Sequence, residues 1–137
     1  MGNTVVAISP DSKALYHAAA VMVSNQIVAL ADMGTALLVK CGFSEAAAAE
    51  ALSPLLLGNA QSVAEKGAVN ALTGPIERGD AQTVSKHLQE IRKFAAESTV
   101  GQDILTAYTA LSKQLIRIAQ QKHPQKDYKH LEKELEQ

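Results

Sequence analysis

Tryptophan is absent from the 137 residues, and the aromatic side chains amount to two Phe and three Tyr. A core built on large aromatics is excluded, so burial has to come from aliphatic residues. A single cysteine, Cys41, rules out an internal disulfide and a cysteine-based metal cage, and it suits a reducing, cytoplasmic setting. Charge of one sign is lacking as well, with 13 Lys and Arg against 14 Asp and Glu. Without an excess of cations to neutralise phosphates, no nucleic-acid partner is expected. The eight glycines form neither a G-x-G-x-x-G fingerprint nor a P-loop, so the chain shows no cofactor signature of its own. His87, His123 and His130 form no i,i+4 pair and have no acidic neighbour at ligand spacing, so no metal site is expected. A basic leader followed by a long apolar run is missing from the first residues. The most apolar stretch, Ala14 to Val39, is interrupted by His17, Ser24, Asn25, Gln26 and Asp32, which argues against a membrane partner.

What remains is rich in helix formers. About one residue in six is alanine and β-branched runs are scarce, which predicts a single all-α domain. The exception is Thr4 to Ile8, a short β-prone run that reads as a strand or extended segment ending at Ser9-Pro10-Asp11. From Ser12 to Lys40 there is one glycine and no proline, and Lys40 followed by Gly42 marks a stop. This predicts one long central helix, apolar almost all round and therefore covered on several sides. Ser44 should cap a helix to Leu52. Ser53-Pro54 should then kink or break the chain and start another helix, to about Lys66. Asp80 should cap a helix to Glu97 that buries Val84, Leu88, Ile91 and Ala95. A further helix is expected from Gln102 to Gln121 with Ile104, Leu105, Tyr108, Leu111, Leu115 and Ile118 inside. The charged remainder has apolar residues only at Tyr128, Leu131 and Leu135, which fits a short amphipathic or fraying helix, its lysines forming a solvated face.

Two features carry chemistry. At about 100° per residue, Lys13, His17, Ser24, Asn25, Asp32 and Thr35 share one side of the long helix. Such a stripe lines a ligand cleft, or forms an interface or internal hydrogen-bond network. The turn Thr73-Gly74-Pro75 with Arg78-Gly79-Asp80 offers backbone N–H groups and a guanidinium to an anionic ligand. Alternatively it is a tight connection with Arg78 paired to a carboxylate. Cys41, at a helix C-terminus where the dipole disfavours a thiolate, reads as structural.

The stretch Leu15-Tyr16-His17-Ala18-Ala19-Ala20-Val21 with Ser24-Asn25, and Ala71-Leu72-Thr73-Gly74-Pro75-Ile76-Glu77-Arg78-Gly79-Asp80, resembles a known family. It is similar to the C-terminal helical domain of Rossmann-like, DUF2520-containing proteins, NADP-dependent oxidoreductases of the 6-phosphogluconate dehydrogenase C-terminal-like superfamily. The resemblance implies an all-α, multi-helix fold around a long central helix. It also implies three regions: residues 1–11 as the end of an absent Rossmann domain, 12–121 as the helical domain, and 122–137 as a charged helix or tail. The implied role is substrate binding and dimerisation, with NADP or NAD held by the Rossmann domain of the intact protein and none bound by this chain alone. By the same resemblance His17 and Asn25 are the candidate catalytic residues, and Ser24, Thr73 and Arg78 would contact a small-molecule substrate. One departure stands out: the broader superfamily has a Lys-x-x-x-Asn pair, and with Asn25 in the Asn position Val21 replaces the lysine. His17, one turn earlier, is then the candidate for proton transfer. A non-enzymatic helical interaction domain, or a small-molecule binder, is the alternative.

Overall fold

The computed structural model describes residues 5–137, and the chain divides into two compact units, Met1–Pro54 and Leu55–Gln137. Among the described residues every regular element is helical. Val5 to Ser9 is exposed irregular chain without a ladder partner, so the expected strand is not formed there; Thr4 lies outside the described residues. Pro10–Ser12 makes one 3-10 turn, in which the Ser12 amide donates to the Ser9 carbonyl.

In the first unit, the expected single helix is two: α1 (Lys13–Val23) and α2 (Asn25–Lys40), separated at Ser24. The cause is local. Ser24 Oγ donates back to the Ala20 carbonyl at 2.6 Å and its amide donates to the same oxygen at 3.0 Å. A serine bonding into the preceding turn competes with the regular ladder and bends it, and Ser24 sits at φ −116°, ψ −72°. The expected burial is also absent, because neither α1 nor α2 contains a buried residue. Leu15 is 77% exposed and Val28 70%. The end of α2 follows the sequence signal closely: Gly42 at φ 96° lets its amide donate to Val39 and the Phe43 amide to Leu38, a Schellman closure. Ser44 Oγ then accepts from the Ala47 amide and caps α3 (Glu45–Ala71). A Cβ on Gly34 would come within 3.1 Å of Leu52 Cδ1, so this glycine gives α2 a close seat against the start of α3.

Of the kink or break expected at Pro54, the break is not formed: α3 runs through the proline. The geometry fails instead at Gly67 (φ 74°, ψ 164°), where glycine alone adopts the angles cheaply, and one more turn closes with Leu72 N–H on the Ala68 carbonyl.

The second unit holds the hydrophobic core. After the four-residue α4 (Pro75–Arg78), helix α5 (Ala81–Glu97) is capped by Asp80 and buries Val84, Leu88, Ile91 and Ala95, the four residues its spacing predicts. Helix α6 (Thr99–Lys122) starts earlier than expected because Ser98 Oγ accepts from the Gly101 amide. Its buried line is Gly101, Ile104, Ser112, Ile116 and Ala119, whereas Leu111 is 44% exposed and Leu105, Tyr108, Leu115 and Ile118 are half-buried. At the start of that line Gly101 permits a close approach: a Cβ there would run into the Phe94 carbonyl at the end of α5. Helix α7 (Lys129–Glu136) completes the unit by inserting Leu131 and Leu135 beside Leu72, Ile76, Leu88 and Ile116, with Tyr128 just ahead of it. Burial of a side chain such as Leu88 or Leu131 contributes about 1.5–3 kcal/mol.

Candidate functional site

The five candidate residues divide between the units. His17, Ser24 and Asn25 lie on α1, at the break and at the start of α2, and all three are exposed. Ser24 Oγ shares its proton between the Ala20 carbonyl and Asn25 Oδ1, 3.1 Å away, while among the described residues the His17 imidazole makes no hydrogen bond. Thr35, also on the stripe, donates to the Ala31 carbonyl, and Asp32 is exposed. Lys13, His17, Ser24, Asn25 and Asp32 thus face solvent, and Thr35 is half-buried.

Thr73 and Arg78 lie on the turn between α3 and α5, and both are exposed. Two glycines shape this turn. Gly74 (φ 97°) precedes Pro75 at the first position of α4, and Gly79 (φ 74°) closes it, with the Gly79 amide donating to Ile76 and the Asp80 amide to Pro75. Asp80 uses both carboxylate oxygens on Thr83, accepting from its amide at 3.0 Å and from its hydroxyl at 2.7 Å. Those bonds hold its pKa below the usual value, with the Arg78 charge assisting. Among the described residues the Arg78 guanidinium makes no hydrogen bond or ion pair. It acts on Asp80 only through space.

Beneath this turn lies a cluster that the sequence did not reveal. Glu77 Oε1 is 2.6 Å from His123 Nε2 and 3.8 Å from Lys122 Nζ. Lys122 donates to the Leu72 carbonyl at 2.7 Å, Lys126 to the Arg78 carbonyl at 2.6 Å, and the Tyr128 hydroxyl to the Glu77 carbonyl at 3.0 Å. The hydrogen bond from His123 is the main reason that the Glu77 pKa is lowered; the nearby cations add to it, and partial desolvation opposes them. Burial raises the Tyr128 phenol, and the Glu77 charge adds to that. His123 and Glu77 are 46 residues apart, so no local spacing signals the pair.

A second polar pair lies elsewhere in the unit. His87 Nδ1 is 3.0 Å from Tyr108 Oη, with the rings edge-on, and burial pushes the Tyr108 phenol up while the hydrogen bond with Ser112 opposes this. Among the described residues no three His, Cys, Asp or Glu side chains gather as metal ligands.

Among the described residues the geometry defines two helical units, the first carrying a largely exposed polar stripe and the second an exposed glycine-shaped turn. The chain belongs to the DUF2520 family, described as a domain of unknown function, whose sequence profile matches residues 1–115. Neither the curated proteins nor the solved structures gave a match.

Proposed function

We propose that the chain is the substrate-binding and dimerisation domain of a cytoplasmic NAD(P)-dependent oxidoreductase, with the fold of the 6-phosphogluconate dehydrogenase C-terminal-like domains. It acts with a Rossmann domain that holds the nucleotide. The observation that carries this reading is the uncovered apolar surface. In the first unit Leu15, Met22, Val23 and Val28 face solvent, and in the second Leu55, Leu56, Leu57 and Val63 do. Surfaces of this kind mark protein contacts, and a homodimer satisfies them. By length and apolar character, Pro10–Lys40 would also suffice to cross a membrane. Lys13, His17 and Asp32 within that stretch make hydrocarbon costly, and a protein partner accommodates them.

The chain has no Gly-rich turn between strand and helix, so no residue here is assigned to the dinucleotide. Its own contribution is on the substrate side. In the second unit, Arg78 and Thr73 are the residues for an anionic group of a small-molecule substrate; in the first, Ser24 and Asn25 are the hydrogen-bonding residues and His17 the proton carrier.

Sedimentation equilibrium tests the interface. The expected result is a dimer that Met22→Glu with Val28→Glu dissociates while helicity is retained; a monomer at every concentration overturns the dimer. NADPH binding by the chain joined to a Rossmann segment tests the enzymatic role. A dimer without such binding leaves the non-enzymatic interaction domain as the better reading.

A further inference from the structure

Residues 122–128 lie beyond the residues 1–115 that the family profile matches, yet they make the long-range polar contacts to the Leu72–Asp80 turn. We infer that this segment is a strap that holds the turn in its presenting conformation, with Lys126 and Tyr128 as positioning residues for Thr73 and Arg78.

Three observations converge. First, α4 is a single turn, too short to hold itself, and its last carbonyls have no helical partner. Lys126 and Tyr128 supply those partners, donating to the Arg78 and Glu77 carbonyls. Second, Gly79 leaves room for the strap: a Cβ there would stand 3.2 Å from Lys126 Cε, and the stem of Lys126 passes over the glycine. Third, the strap is itself anchored. The Tyr128 ring is buried in the core beside Leu131, and Lys126 Nζ lies 5.8 Å from the centre of that ring. A rigid core residue therefore fixes the cation, and the cation fixes the turn.

The inference rests on the proposed roles of Thr73 and Arg78 only for what the turn presents; the strap's grip is read without any ligand. Lys126→Met keeps the stem and removes the donors, and Tyr128→Phe keeps the ring and removes the hydroxyl. Hydrogen exchange on the full-length double variant should show the bonded amides of Arg78, Gly79 and Asp80 exchanging about tenfold faster or more, with α5 and α6 unchanged. Lys126→Arg should retain the native rate. An unchanged turn overturns the strap, and so does an equal acceleration throughout α5 and α6, which would make the two residues contributors to general stability only. Failure of NADPH binding in the joined protein would remove the enzymatic reading and leave this result untouched.

Discussion

Leu131→Ala is the sharpest test of the second unit, because α7 has eight residues and isolated helices of that length are marginal in water. Its helicity depends on packing, and Leu131, 1% exposed among Leu88, Ile116 and Leu135, is the side chain that packs it. Truncation at such a site costs about 2–5 kcal/mol, the lost transfer energy plus the cavity left behind. Taking about 3 kcal/mol, and about 4–8 °C per kcal/mol for a small domain, the thermal midpoint should fall by more than about 10 °C. Unfolding followed by tyrosine emission is suitable, since there is no tryptophan and Tyr128 is buried one residue ahead of α7. Lys133→Ala, on the exposed side of the same helix, should stay within about 0.5 kcal/mol of the parent. A loss below about 1 kcal/mol for Leu131→Ala would mean that α7 is a frayed appendage and contributes no packing to the core.

Two other outcomes follow from the geometry. The Glu77 and Asp80 carboxyls have folded pKa values below their ordinary ones, so as pH falls the unfolded chain takes up protons before the folded chain does. Their contribution is complete above the ordinary carboxylate range and is lost as pH drops through the lower folded values; denaturant midpoints between pH 6 and pH 3 should fall less steeply in a Glu77→Gln, Asp80→Asn variant. Gly101→Ala should destabilise by about 1–3 kcal/mol by driving a methyl into the Phe94 backbone, and circular dichroism melts showing the parent's stability would refute that close approach.

Where one local signal decided the structure, the sequence was readable. The Gly42 closure of α2, the Asp80 cap and the period of α5 each involve residues within one or two turns of each other. Where two elements compete, it was not. The large residues Leu111 and Leu115 suggest one face for α6, but the buried line includes Gly101, Ser112 and Ala119, whose smallness carries no hydrophobic signal. Pro54 carries a breaker's signature, and α3 nonetheless continues. The turn that carries the candidates Thr73 and Arg78 was legible from its dense Gly, Pro and Asp motif. Their support was not, because the pairing of Glu77 with His123 spans 46 residues and the lysines of residues 122–126 read locally as a solvated face.

The helix read as a buried spine shows why burial cannot be inferred from composition alone. Leu15, Met22, Val23 and Val28 wrap around α1 and α2 in the pattern of an enclosed helix, yet in the single chain they face solvent. The pattern records how many sides of a helix need cover and says nothing of which molecule supplies it. His17, Ser24 and Asn25 interrupt that apolar surface, so whatever covers the leucines and valines also determines what those polar groups meet. If Met22→Glu with Val28→Glu leaves a folded monomer, comparing the two forms measures how far cover matters. Accessibility of the His17 imidazole to diethyl pyrocarbonate should rise on dissociation if the partner encloses the stripe, and equal labelling in monomer and dimer would place the stripe on a face that dimerisation leaves open.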